Sequence, residues 1–170
     1  IQALASDPSN LGSGQVWYNT TSNQLKIAAV FTTGSWATGG NMGTTRKALA
    51  GAGTQTAGLA FGGHPTTNVT EHYDGSAWTA GGNMATGRYG LGGAGTQTAG
   101  LAFSGGGVPN LTNATEHYDG SAWTAGGNMG TARYNMGSAG TQTAGLGFGG
   151  GFGSNATEQY DGSAWTSGGN

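Results

Sequence analysis

A chain of 170 residues holds one ordinary domain or a few small repeats, and its charge is thin: 5 Lys and Arg against 7 Asp and Glu, a net of -2. With charged residues at only 7%, no basic surface exists for a phosphate backbone, so no nucleic-acid partner is expected, and no acidic block stands out. Cys is absent, which removes disulfides, thiolate catalysis and Cys-ligated zinc together.

Glycine is the outlier at 38 residues, while the Trp, Tyr and Phe side chains fall at regular positions. A low-complexity linker would not space its aromatics, so the composition predicts a folded chain with a thin interior packed by Gly and Ala. No apolar run approaches the roughly 20 residues of a membrane helix, so no membrane insertion is expected. Residues 1–30 lack the basic-then-apolar order of a signal peptide. The chain opens at Ile1, which reads as a processed or excised piece.

Taken in chain order, residues 1–35 form an N-terminal segment with one hairpin. "VWYN" (16–19) and "QLKIAAV" (24–30) are strands joined by the polar turn "TTSN" (20–23). From residue 36 the chain repeats itself. "GGNM" occurs at 39–42, 81–84 and 126–129, "GTQTAGL" at 53–59, 95–101 and 140–146, and "YDGSAWT" at 73–79, 118–124 and 160–166. The steps are 42 and 45 residues, and the extra three lie within "SGGGVPNLTNA" (104–114). The units run over 36–78, 79–123 and 124–165, followed by the start of a fourth; Trp36 is in register with Trp78, Trp123 and Trp165.

Within one copy every signal is β. "RYGLGGA" (88–94) is a strand of small residues, "GTQT" (95–98) a Gly-led turn, and "AGLAF" (99–103) a short apolar strand. "ATEHY" (114–118) alternates with period two, Asp119-Gly120 reads as a two-residue hairpin turn, and "SAWTA" (121–125) makes the fourth strand. Four short strands in about 42 residues is the grammar of a propeller blade. The expected fold is therefore all-β, built of four-stranded antiparallel blades. Three copies are fewer than a propeller ring needs, so the ring is expected to be incomplete, or completed by further sequence or by other chains.

"NMATGR", "AGLAFSGG" and "EHYDGSAW" together resemble the kelch repeat: Met-x-x-x-Arg, an apolar run into glycines, then Tyr and Trp. Two features depart from that pattern, a short Tyr73-to-Trp78 step and Ser104 ahead of the glycines of the second copy. The resemblance implies kelch-like β-propeller blades over 39–170. The copper chemistry of one kelch branch needs a Cys-linked Tyr and so is not available to this chain; no cofactor is expected. "DPSNLGSGQVWYNTTSNQLKI" (7–27) is similar to a segment of virion structural proteins of tailed phages, where it precedes kelch-like repeats. That resemblance implies a tail fibre or appendage located on the virion.

Candidate chemistry divides into what repeats and what varies. Glu71, Glu116 and Glu158 recur, as do Asp74, Asp119 and Asp161; residues repeated once per blade do one local job each time, whereas a glycosidase needs two differently placed carboxylates. The Asp members read as turn formers and the Glu members as partners within the sheet. Only Asp7 is acidic outside the frame. His72 and His117 are equivalent but the third copy has Gln159, so no metal site is expected. Arg46, Arg88 and Arg133 read either as ligands of carbonyls or a carboxylate in the neighbouring blade or as receptors for an anionic sugar. The recurrent Trp residues read as blade-interface seals or as sugar-stacking faces.

The varying windows are His64–Val69, Ser104–Asn113 and Gly151–Asn155, with smaller variation after each Arg at 47–50, 89–92 and 134–137. Loops on a rigid scaffold carry recognition, although loops also drift neutrally. The candidate binding residues are His64, Pro65, Thr66, Thr67, Asn68, Val108, Pro109, Asn110, Leu111 and Phe152. The reading is a non-enzymatic virion fibre or appendage presenting these loops to a host-surface glycan or protein receptor, with other virion proteins or copies of itself as further partners. The alternatives are a purely structural virion decoration or spacer, and a polysaccharide depolymerase.

Overall fold

The computed structural model describes residues 2–8, 15–27, 37–106 and 110–169. The chain divides into two compact units, 1–38 and 39–170.

The first unit is a three-stranded sheet in the order β1 (Gln2–Leu4), β2 (Val16–Asn19), β3 (Gln24–Ile27). β2 and β3 form the expected antiparallel hairpin, and β1 adds a parallel edge that the sequence pattern does not signal. Asn19 shapes the turn: its side-chain oxygen accepts from the backbone N–H groups of Thr21 and Ser22 at 3.0 and 2.9 Å. Trp17 is the buried anchor of this sheet, 4% exposed. Trp36 lies outside the described residues.

The second unit is three four-stranded sheets. The first comprises β4 (Ala50–Thr54), β5 (Ala57–Phe61), β6 (Thr70–Tyr73) and β7 (Trp78–Ala80). The second comprises β8 (Gly92–Gly95), β9 (Gly100–Phe103), β10 (Thr115–Tyr118) and β11 (Trp123–Ala125). The third comprises β12 (Gly137–Thr141), β13 (Ala144–Phe148), β14 (Thr157–Tyr160) and β15 (Trp165–Ser167). In each sheet spatial order follows chain order and all neighbours are antiparallel, as in a propeller blade. The first strands β4, β8 and β12 lie side by side in sequence. Among the described residues the three sheets do not close into a ring.

Small residues are required by space. A Cβ on Gly92 would sit 2.3 Å from the Phe103 ring of its own sheet, and one on Gly100 would sit 2.6 Å from Leu59 of the preceding sheet. Gly137 and Gly145 repeat both relations in the third sheet, against Phe148 and Leu101. The core that results is an inter-sheet layer: Leu59, Phe61, Leu101 and Phe103 are all at most 2% exposed. Burial of each such side chain contributes about 1.5–3 kcal/mol.

Two local expectations are corrected. The third and fourth strands pair Tyr118 with Trp123, so the connection is the four-residue loop Asp119–Ala122 rather than a two-residue Asp-Gly turn, and the fourth strand begins at Trp123. The Asp119 carboxylate decides this: Oδ1 accepts from Ser121 N, Ser121 Oγ and Ala122 N, each at 2.8 Å, and Gly120 takes φ +97 inside the loop. Asp74 and Asp161 do the same in the other sheets. The first strand of the second sheet starts at Gly92, because the backbone at Arg88–Gly90 is committed to neighbouring loops instead.

Candidate functional site

The two ends of the sheets differ in kind. At one end the invariant "TQT" turns meet the invariant Asp-Gly-Ser-Ala loops: a Cβ on Gly75, Gly120 or Gly162 would lie 3.3–3.4 Å from Thr56, Thr98 or Thr143 respectively. At the other end lie the connections between second and third strands, which are the varying windows, and the segments that follow each Arg.

The structure joins these two sets of varying residues into one hydrogen-bonded surface. Lys47 and His64 exchange both backbone bonds, at 3.1 and 2.7 Å. Gly90 N–H donates to Ala48 O and Asn135 N–H to Gly90 O, both at 2.7 Å, so the post-Arg segments of all three copies form a chain across the sheets. Gly106 N–H donates to Tyr89 O at 2.8 Å and Gly151 N–H to Tyr134 O at 2.7 Å. Ala48, Gly90 and Asn135 occupy the same left-handed backbone position, with φ +52, +60 and +51. The His64 ring stands edge-on to Tyr89, 5.2 Å between centroids.

Beneath this surface each repeated Arg staples one window at its roots. Arg88 Nη1 donates to Ser104 O at 3.1 Å and Ala114 O at 2.6 Å, the carbonyls on either side of the window, while Nη2 reaches Glu116 Oε1 at 2.9 Å. Arg46 spans Gly62 O and Val69 O, and Arg133 spans Gly149 O and Ala156 O. In each copy the Glu oxygen not taken by Arg accepts from a backbone N–H, that of Gly43, Ala85 or Gly130, at 2.6–2.8 Å. Burial lowers the pKa of Arg46 and Arg88, opposed by the charges of Glu71 and Glu116, and arginine's ordinary value is high enough that both stay charged. The sequence expectation placed these contacts on a neighbouring blade. They lie instead within the same copy, because residues 43–46 fold back across their own third strand.

The candidate residues fall into distinct places. His64, Pro65 and Thr66 are exposed, as is Asn110, and Leu111 is half-buried. Thr67 and Asn68 serve the frame: Thr67 Oγ1 accepts from Val69 N–H at 3.2 Å, and Asn68 Nδ2 donates to Met84 O at 2.9 Å. Thr112 with Asn113 repeats both bonds in the second copy. Ser104 belongs to the frame as well; it is fully buried with φ +57, and its hydroxyl bridges Thr112 O and the backbone of Arg133. Phe152 sits in the short 3-10 turn Gly151–Gly153, and Val108 and Pro109 lie outside the described residues. Sequence reasoning left Lys47, Tyr89, Tyr134 and Asn135 out of the candidate set. Their variation directly after an otherwise invariant Arg was the available signal.

The repeated aromatic residues seal the sheets together. Trp123 lies 4.9 Å from Phe61 of the preceding sheet and donates Nε1–H to Thr70 Oγ1 at 2.9 Å; Trp165 does the same to Phe103 and Thr115. His72 and His117 each meet the next sheet's Tyr118 or Tyr160 hydroxyl at 2.7 Å. Asp7 is occupied within the first unit by Trp17, Asn19 and Lys26 at 3.1, 2.7 and 2.7 Å, which holds its pKa down at about 2.

Among the described residues the loop end presents to solvent the Lys47 cation, the His64 imidazole, hydroxyl and amide groups (Thr66, Asn110, Asn135, Asn155) and the half-exposed Tyr89 ring. That mixture of hydrogen-bonding groups with aromatic faces suits a polyhydroxylated or peptide surface. No protein-family model matches the chain, and no curated protein matches it.

Proposed function

We propose that this chain is a non-enzymatic fibre or appendage protein of a tailed phage, built of kelch-like propeller blades, whose loop end recognises a glycan or protein on the host surface. The observation that carries the reading is the segregation of the repeats: the described residues of the varying windows gather at one end over buried Arg-Glu staples, and the invariant turns gather at the other. A scaffold that fixes loop roots while freeing loop content is suited to changing its target without refolding. The binding is shallow and multivalent, since several weak contacts on a rigid array add through effective concentration.

A depolymerase fits the side chains less well. The repeated Glu residues are held by Arg and backbone N–H groups, the repeated Asp residues by their own turns, and Asp7 by three donors. The architectural spacer has one observation in its favour, the face of the third sheet that carries Phe148, 43% exposed. Host-cell binding and a glycan array separate the readings. Replacing His64–Thr66, residues 107–111 and Gly151–Gly153 by Gly-Ser abolishes binding if the loop end recognises the host. Binding that survives all three replacements removes the recognition reading.

A further inference from the structure

The second unit builds the same inter-sheet joint twice, and among the described residues one half of that joint is left unpaired on the first sheet and the other half on the third. In each joint, five contacts link the trailing face of one sheet to the leading face of the next. Leu59 sits over Gly100, and Phe61 packs on Trp123 at 4.9 Å. Thr70 Oγ1 accepts from the Trp123 indole, His72 meets the Tyr118 hydroxyl, and Gln97 Nε2 donates back to Gly58 O and Tyr73 O at 3.0 and 2.8 Å. The second joint reproduces each contact with Leu101, Phe103, Thr115, His117 and Gln142.

The unused halves are complete. The trailing face of the third sheet presents Phe148, 43% exposed where Phe61 and Phe103 are fully buried, beside Leu146, Thr157 and Gln159. The leading face of the first sheet carries a groove of about 510 Å³ lined by Gly51, Ala52, Gln55, Gly58, Tyr73 and Trp78. Gln55 is exposed there, whereas its equivalents Gln97 and Gln142 are half-buried by their bonds across the joint. Gln159 replaces the His of the other copies, and its amide offers the Tyr73 hydroxyl both an acceptor and a donor.

We propose that these two faces bind each other between copies, so that the third sheet of one molecule packs on the first sheet of a second copy through a third instance of the same joint. Leu146 then covers Gly58, Phe148 meets Trp78, Thr157 accepts from the Trp78 indole, and Gln55 reaches the carbonyls of Gly145 and Tyr160. The contact is head-to-tail, so it generates a closed ring if the rotation closes and an open row if it does not. It stands independently of the recognition reading, because both faces lie on the sheets and neither uses the varying windows.

Sedimentation velocity of the full chain, diluted from about 100 μM through the micromolar range, tests it. Two variants each block one face. Phe148→Asp places a charge on the trailing face at an already exposed site. Gly58→Val fills the leading groove, where a Cβ lies 3.4 Å from Thr54 O and from Tyr73 Cβ, ordinary contact distances. Circular dichroism melts check that both fold. The wild type is expected to sediment as assemblies that dissociate on dilution, and each variant alone as a monomer. An equal mixture of the two is expected to form a dimer, since each retains the face the other lacks. A wild type that stays monomeric throughout, whether its faces are bare or taken by other segments, overturns the proposal. So does an assembly indifferent to both variants, or a mixture that remains monomeric.

Discussion

The Arg88 guanidinium and the Glu116 carboxylate meet at 2.9 Å with side chains only 1% and 5% exposed, and the same guanidinium holds the two carbonyls that bracket the window of the second copy. One ion pair thus fixes the distance between loop roots whatever lies between them. The window it brackets has three more residues than those bracketed by Arg46 and Arg133, and the sheets around it are alike.

Removing one partner of this pair leaves the other charged and buried. Glu116→Gln is expected to destabilise the second unit by about 3–5 kcal/mol, because the guanidinium loses its counter-charge without regaining water. Arg88→Met is expected to cost at least as much, since it strips the Ser104 and Ala114 carbonyls of their donor and leaves the buried Glu116 carboxylate with the Ala85 N–H but no counter-charge. Urea denaturation followed by circular dichroism measures both, and a loss under about 1 kcal/mol for Glu116→Gln contradicts the staple.

Loop length is expected to matter far less. Deleting residues 107–109 brings the second window to the length of the others and should change stability by no more than about 1 kcal/mol, since closure entropy varies slowly with length. The same denaturation experiment reads it. A deletion that costs as much as Glu116→Gln would show that the window, and not the staple, holds the roots together.

The His117–Tyr160 contact adds a pH dependence. Burial lowers the His117 pKa below its ordinary 6.5, so the folded state favours the neutral ring. A depressed pKa contributes stability that is present above the ordinary value and is lost as pH falls through the folded one. Thermal melts should therefore decline as pH drops below about 6.5, and His117→Gln, the residue the third copy already carries at 159, should flatten that decline.

Asp7 acts at lower pH in the first unit. Its pKa falls from 3.8 to about 2 through the hydrogen bond from Lys26, then those from Asn19 and Trp17. Its contribution is present above 3.8 and lost as pH falls through about 2. In an NMR titration the Trp17 indole N–H resonance is expected to hold its position down to about pH 3 and then shift, while Asp7→Asn moves it at neutral pH. A Trp17 signal that titrates between pH 5 and 4 contradicts this assignment.

The sequence carried the repeat, its four strands and the packing role of the small residues, because period and Gly placement are local signals. It also pointed to the Trp residues as seals between sheets, and Trp123 and Trp165 take that role. The Asp-Gly turn was misread because a favoured dipeptide competed with an Asp carboxylate able to capture three donors, and the carboxylate won. The parallel strand Gln2–Leu4 has no pattern of its own to mark it. The joining of His64 with Lys47 and Tyr89 was illegible for a different reason: those residues are 17 and 25 positions away, and only the crossing of residues 43–46 and the adjacency of sheets bring them together. Thr67 and Asn68 fall in a varying window although they recur as Thr112-Asn113 and Ser154-Asn155; their side chains, like that of Ser104, hold the frame.

The central claim is that one end of the row of sheets recognises a surface and the other end does not. Host-cell binding of two variants tests it most directly. One carries His64→Ala, Tyr89→Ala and Asn135→Gly at the loop end; the other carries Thr56→Ala, Thr98→Ala and Thr143→Ala among the invariant turns. The loop-end variant is expected to lose binding by at least about tenfold, the equivalent of 1.4 kcal/mol, with its melting curve retained, and the turn-end variant to bind as the wild type does. Equal loss from both ends, or loss from the turn end alone, contradicts the account.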